Sequence, residues 1–428
     1  MILAMYALKK LFSGSLFYSI ANSIEAMVPF LLAPLLTRSL SPADYGMWVL
    51  FVALVTFFRP IVSLTVEDAL RMRYYDMKKE ARSQYVFTAF IVTTLISLTY
   101  LGVTALWQEP LSAFMQFPAE WIKSLVIMAY LFGLFYTLLA FNQFAHDRKH
   151  FLGLQLVQSV VSIVLIATLV LQGYSWQGAV IGKMGGMLVA VIIGTFWLTP
   201  QLDASFLKNP CKKYAKEQLK FGIHYLPTGL GLVMIGLTDR LVIVHKIGIE
   251  EGGLYGAAAL FGAVLFIGVR GFIMAWMPWL FRHLKDDSAQ NRKEIKIASL
   301  AFFLLVPIAG FAIYIMSLLV APFLIGKEFH DSFSYIPLVI AATVAQGFFF
   351  HNQAFLHFRK KLSIMAIINT LSIALNIALS IYLAGIYGVY GVIVATIISY
   401  SLSFLVSGMV VLYVYRAGNI TTEENSAK

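Results

Sequence analysis

Apolar residues run along this chain in blocks of about twenty or more, the length that crosses a hydrocarbon core, and each block is closed by a short polar or basic stretch. Twelve blocks are predicted as spanning helices: 11–37, 46–66, 84–107, 121–144, 152–172, 178–199, 219–246, 253–278, 297–322, 334–356, 362–384 and 389–415. The pattern predicts an all-α integral membrane protein with twelve transmembrane helices.

Charge in the loops orients these helices. The loops that begin with Lys9 and Lys10 and continue on every second connection carry 24 of the 32 basic residues. The alternate loops and their edges carry four, namely Arg38, Lys123, Lys246 and Lys327. Basic residues stay on the cytoplasmic side of short loops, so both termini are expected in the cytoplasm. One missing or extra span would destroy this alternation. All seven tryptophans fall at or near expected span ends, where an amphipathic indole prefers to sit.

The chain also repeats itself. "FNQFAHDRKHF" (141–151) ends the fourth block and "HNQAFLHFRKK" (351–361) ends the tenth, with the Asn-Gln pairs 210 positions apart. Tyr45-Gly46 and Tyr255-Gly256 open the second and eighth blocks, and Arg59 and Arg270 fall late in the same two, 211 positions apart. Several matches in order at nearly one offset indicate duplication of a six-span unit. Six is even, so both copies face the same way across the membrane, related by a pseudo-two-fold along its normal. The expected organisation is an N-lobe (1–199), a cytoplasmic linker (200–218), a C-lobe (219–416) and a cytoplasmic tail (417–428), with a central cleft between two pseudo-symmetric six-helix lobes.

Composition supports the bilayer as solvent. The chain is 60% hydrophobic and 12% charged, half the charge of an ordinary soluble protein, and its mean hydropathy is +0.80. The net charge of +11 sits in loops beside apolar blocks, which fits membrane orientation better than nucleic-acid binding. Cys211 is the single cysteine and excludes an intrachain disulfide and any CxxC site. No cleavable leader is expected, because Lys9-Lys10 closes a short apolar start and a full-length block follows. The chain has no phosphate-binding G-x-x-x-x-G-K-[ST] loop, no H-E-x-x-H and no separate soluble region for an active site. No cofactor, no metal and no enzymatic activity are therefore expected.

Candidate chemistry lies inside the blocks. An ionised side chain at the bilayer centre costs about 2.5–3.5 kcal/mol on insertion scales, so such residues pair or line water. The set is Glu25, Arg59, Lys183, Asp239, Arg240 and Arg270, with Glu67 and Asp68 at the cytoplasmic end of the second block. On one reading Glu25 and Arg59, at similar depth on antiparallel neighbours, form an ion pair, and Lys183 and Arg240 snorkel to the interface. On the other, Arg59 and Arg270 face the cleft from corresponding places, with Lys183 and Arg240 adding to a site for a phosphate or pyrophosphate, which guanidinium groups bind in a bidentate way. Glu25 and Asp239 are then gating or coupling residues. Asn22, Asn142, Gln143, His351, Asn352 and Gln353 are candidate sugar-contacting residues, although interhelical hydrogen bonding is the commoner role of such side chains.

Three stretches carry a family resemblance: "LTRSLSPADYGMWVLFVAL" (36–54), "LPTGLGLVMIGLTDRLVIVHKIGIEEGGLYGAAAL" (226–260) and "RKKLSIMAIINTLSIALNIALSIYLAGIYGVYGVIVATIISY" (359–400). In this order they resemble the polysaccharide-biosynthesis flippases, the O-antigen (Wzx-type) translocases of the MOP (MATE-like) superfamily. The resemblance extends over nearly the whole chain. It implies twelve helices in two lobes, and movement of an undecaprenyl-pyrophosphate-linked oligosaccharide across the bacterial inner membrane by alternating access. It also implies membrane lipids, a polysaccharide polymerase and a chain-length regulator as partners. Two alternatives remain at this point: a MATE-like cation-coupled exporter of small molecules, which would want more buried carboxylates, and a membrane-embedded glycan polymerase or ligase.

Overall fold

A computed structural model describes the backbone of residues 2–202, 211–231, 233–286 and 288–426; the middle of the expected linker, 203–210 with Lys208 and Pro210, lies outside them. The described residues form helices joined by turns. They run as α1 (Ile2–Ser39), α2 (Pro42–Ser63), α3 (Val66–Arg73), α4 (Lys79–Leu106), α5 (Gln108–Met115), α6 (Ile122–Phe144) and α7 (Arg148–Leu171). There follow α8 (Ser175–Leu198), α9 (Lys212–Gly231), α10 (Met234–Lys246), α11 (Ile249–Lys285), α12 (Ala289–Leu324), α13 (Ile336–Phe358) and α14 (Leu362–Ser426).

Among the described residues, eight helices are long and apolar enough to cross a membrane. Two bent pairs, α9 with α10 and the 3-10 turns at Lys327–Ser334 with α13, raise the number of candidate spans to ten. The first expected span falls on α1. The last two both fall on α14, which is 65 residues long and is divided at Gly388, where φ is 59° and ψ −138°. Glycine enters that region without the steric penalty a Cβ would bring. The surface suits lipid: Leu304, Leu305, Ile308 and Phe311 on α12 are all exposed. The protein is a multi-pass membrane protein.

Local signals set the helix ends. The Ser41 side chain accepts a hydrogen bond from the Asp44 amide at 3.1 Å, with Pro42 at the first helical position of α2. Asp147 caps α7 and Ser288 caps α12 by the same chemistry. Between α2 and α3, Leu64 and Thr65 both adopt left-handed backbone, φ 44° and 48°, and break the second block before Glu67. The corresponding helix α11 continues unbroken to Lys285.

The ends of α6 and α13 share one geometry. The Asp147 amide donates to the Asn142 carbonyl at 2.9 Å and the His146 amide to that of Gln143 at 3.2 Å. The Lys361 and Lys360 amides donate to the Leu356 and His357 carbonyls, each at 3.0 Å. His146 and Lys360 supply the left-handed residue, φ 57° and 55°. These equivalent residues are 214 positions apart, four more than the two Asn-Gln pairs. The pairs are therefore one helical turn out of register and are not equivalent positions.

Contacts divide the chain into two compact units, Met1–His245 with Ile249–Gly253, and Lys246–Gly248 with Leu254–Lys428. Within the first, α2 meets the start of α11 at backbone distance. A Cβ on Gly46 would strike the Ile249 carbonyl, and one on Gly253 would strike that of Pro42. Within the second, Trp276, Leu280, Ile295 and Ala354 form a buried cluster.

Candidate functional site

Most of the intramembrane charge gathers in the first unit, on four helices. The Lys183 Nζ of α8 lies 3.9 Å from the Glu25 Oε1 of α1. The Tyr136 hydroxyl of α6 donates to the other Glu25 oxygen, Oε2, at 3.1 Å. The ring of Tyr136 supports the Arg59 guanidinium of α2, whose central carbon stands 4.7 Å from the ring centroid. One turn earlier on α6, Phe132 stacks on Tyr136 at 5.9 Å and lies beneath Lys183. The position of Tyr136 one turn after Phe132 puts both rings on one helix face, where they act as a strut between α1, α2 and α8.

Arg59 does not pair with Glu25. Its Nη1 lies 3.6 Å from Glu67 Oε1, and Glu67, at the start of α3, is almost fully buried while the Arg59 side chain keeps 31% exposure. The break at Leu64–Thr65 brings this about: it turns the chain so that Glu67 comes back toward Arg59 instead of continuing along α2. Tyr136 and Phe132 were not among the expected site residues, and Glu67 was noted only for its position. The reversal at Leu64–Thr65 contains no Gly, so nothing in the sequence announced it.

Asp239 and Arg240 follow one another on α10. Asp239 is buried. Arg240 is half-buried and donates from Nη1 to the Gly236 carbonyl of its own helix at 2.7 Å. With Glu67, just past the end of the second expected span, added to the intramembrane set, the first unit holds three of its bases (Arg59, Lys183, Arg240) and three acids (Glu25, Glu67, Asp239). The expected positive surplus therefore reduces to Arg270 in the second unit. Arg270 is exposed near the middle of α11, and among the described residues no carboxylate lies within ion-pair reach of it.

The amide candidates divide by environment. Asn142 is buried and bonds back to the Leu138 carbonyl of its own helix at 2.9 Å. Gln143 beside it is half-buried at the end of α6. Asn352 donates to the Phe404 carbonyl at 3.0 Å and to Ser407 Oγ at 3.2 Å, and Gln353 donates to Asn369 Oδ1 at 2.7 Å. Those bonds tie α13 to α14, the helix-joining role, rather than lining a sugar path. His351 is 2% exposed, and among the described residues neither ring nitrogen has a partner in good hydrogen-bond geometry. Its ring stacks on Trp276 (4.9 Å) and Phe302 (5.1 Å) and meets Phe303 edge-on (4.7 Å), so it is packing, not lining. The Asn22 side chain lies outside the described residues. No group of three His, Cys, Asp or Glu suited to a metal ion occurs among the described residues.

The family described as "Polysaccharide biosynthesis protein" matches residues 11–284, well over half of the chain. The chain belongs to that family. Two relatives come from Haemophilus influenzae. One is an Lsg locus protein, 25% identical over 78% of this chain and 81% of its own length. The other is an uncharacterized membrane protein, 25% identical over 84% and 88%. The fold is that of the MATE transporters of the MOP superfamily. The inward-facing form of one multidrug resistance member superposes with a TM-score of 0.72 at 14% identity, covering 93% of this chain and 96% of that one. A MOP superfamily transporter from Pyrococcus furiosus, described as having a binding pocket of reversed polarity, gives 0.59 at 14% identity over 93% and 94%. The chain is thus a multi-pass membrane protein of a polysaccharide-biosynthesis family, with a MATE-like fold.

Proposed function

We propose that this protein is a flippase. It moves an undecaprenyl-pyrophosphate-linked oligosaccharide, an O-antigen or other surface-polysaccharide repeat unit, between the leaflets of a bacterial inner membrane by alternating access. Twelve spans carry the movement: the ten candidates above, one more from dividing α14 at Gly388, and α1. The alternation of basic loops supports cytoplasmic termini, and the internal repeat supports two six-helix lobes, 1–199 and 219–416.

One observation carries the cargo assignment. Arg270 exposes a guanidinium near the middle of an apolar helix, with no acid within ion-pair reach among the described residues. A charge in hydrocarbon costs about 2.5–3.5 kcal/mol on insertion scales, which favours a water-facing position with room for an anionic partner. A pyrophosphate fits its fork geometry. In the first unit, Arg59 is a further candidate for a phosphate, which would take the place of the Glu67 carboxylate. There Lys183 and Arg240 add to the positive field, while Glu25 and Asp239 compensate their charge and serve in gating or coupling.

Deletion of the gene, followed by separation of lipid-linked units by leaflet, tests the proposal. A flippase leaves single units on the cytoplasmic side. Units exported but left unpolymerised would assign a polymerase or ligase instead, and an unchanged leaflet distribution with altered drug sensitivity would assign an exporter. The exporter reading draws on the multidrug structures that share the fold. It is disfavoured because an organic cation wants free buried acids, and Glu25 and Glu67 already face Lys183 and Arg59.

A further inference from the structure

The first turns of α9 present a feature that neither charge pairing nor helix packing uses. Lys212, Lys216 and Lys220 recur every four residues and share one helix face with Leu219 and Ile223. All five are exposed; Leu219 is 37% and Ile223 60% accessible. With Ala215 and His224 they line an open groove of about 530 Å³. No acid contributes to its wall.

The opposite face of α9 is fixed. Gln218 Nε2 donates to the Tyr85 carbonyl at 3.0 Å, and Gly222 backs directly onto the Leu64 backbone. Glu217, next to Lys216 in sequence, binds Arg73 Nε at 2.7 Å instead of the lysines. The basic row therefore stands on a helix that cannot roll to hide it. Orientation by charge alone requires lysines in a loop; it requires neither a four-residue spacing nor apolar side chains between them. A row of ammonium groups beside exposed Leu and Ile matches a molecule with an anionic head and a hydrocarbon tail, in the way that basic amphipathic helices meet anionic leaflets.

We propose that this face of α9 is a binding site for an anionic glycerophospholipid, its phosphate held by Lys212, Lys216 and Lys220 and an acyl chain laid against Leu219 and Ile223. The lipid acts as a wedge that seats α9 on the leaflet surface while the helix stays pinned to α3 and α4. This site takes bulk lipid and is separate from the arginines assigned to the cargo.

The test uses the full-length protein in detergent, with lipid retention read by native mass spectrometry. The probes are phosphatidylglycerol, phosphatidylcholine and undecaprenyl pyrophosphate. Wild type should retain phosphatidylglycerol over phosphatidylcholine. The triple variant Lys212→Gln/Lys216→Gln/Lys220→Gln should lose at least about tenfold in phosphatidylglycerol affinity, given the worth of lysines near an anionic surface. Because these side chains are exposed, its thermal unfolding should match wild type. A control triple, Arg292→Gln/Lys293→Gln/Lys296→Gln, should retain the lipid. Equal retention by wild type and the α9 triple would overturn the proposal, as would equal binding of phosphatidylcholine. Loss of undecaprenyl pyrophosphate alone from the triple would also overturn it and would make the groove a cargo-loading site. None of these results depends on whether the protein flips that cargo.

Discussion

The Lys183 ammonium and the Glu25 carboxylate lie 3.9 Å apart, joined across 158 positions of sequence by helices that pack around Tyr136. Both side chains are mostly buried, at 13% and 16% exposure. Each neutralises a charge that the other would leave stranded in a low-dielectric setting, so the two residues form one electrostatic unit.

That relationship predicts non-additive mutations. Glu25→Gln or Lys183→Met alone leaves an uncompensated charge and should cost roughly 3 kcal/mol of stability. The double variant removes both charges and should recover most of the loss. Thermal unfolding of the four proteins in one detergent completes the cycle. Additive losses would mean that the two groups do not interact.

Arg270 should behave in the opposite way. It is exposed and packs little, so Arg270→Ala should leave unfolding within about 0.5 kcal/mol of wild type. If its guanidinium holds a pyrophosphate, the same variant should leave lipid-linked units on the cytoplasmic leaflet. Arg270→Lys keeps the charge but loses the bidentate fork, and should restore transport only in part. Wild-type leaflet distribution in the alanine variant would remove Arg270 from the transport path.

The contact between α2 and α11 makes a third prediction. Gly46 and Gly253 each face a backbone carbonyl of the other helix at a distance that excludes any Cβ. Gly46→Leu should therefore part the helices and cost about 2 kcal/mol or more, as overpacking does. The yield of folded protein in membranes, with Gly102→Leu as the control, provides the measurement: Gly102 has nothing within 4 Å of its Cβ position. Equal yields would show that this approach is not needed for folding.

The helical, membrane-spanning character and the breaks near Gly388 and around 145 and 360 were legible because each depends on local apolar length or on short polar interruptions. Pairing was less legible. Glu25 was matched to Arg59 by depth on adjacent helices, yet depth does not fix which way a helix face points. In the structure Glu25 faces Lys183, and Arg59 faces Glu67 across the break at Leu64–Thr65. The Asn-Gln repetition misled in register for a related reason. Both pairs precede a helix end, but the ends superpose at 214 positions and the amides at 210, so Asn352 sits a turn deeper and bonds to α14.

His351 offers the sharpest division between lining and packing. Among the described residues its nitrogens meet no partner in good hydrogen-bond geometry, and aromatic rings pack around it on several sides. A buried polar group without a hydrogen bond carries a desolvation cost that an apolar ring of similar shape does not. His351→Phe should therefore leave transport unchanged and raise the stability of the protein by about 1 kcal/mol. His351→Asp keeps a polar group but puts a carboxyl among Trp276, Phe302 and Phe303, and should unfold the second unit at lower temperature. Transport assayed beside thermal unfolding distinguishes the roles. A phenylalanine variant that is stable yet inactive would return His351 to the sugar path, whereas one that is stable and active fixes it as core.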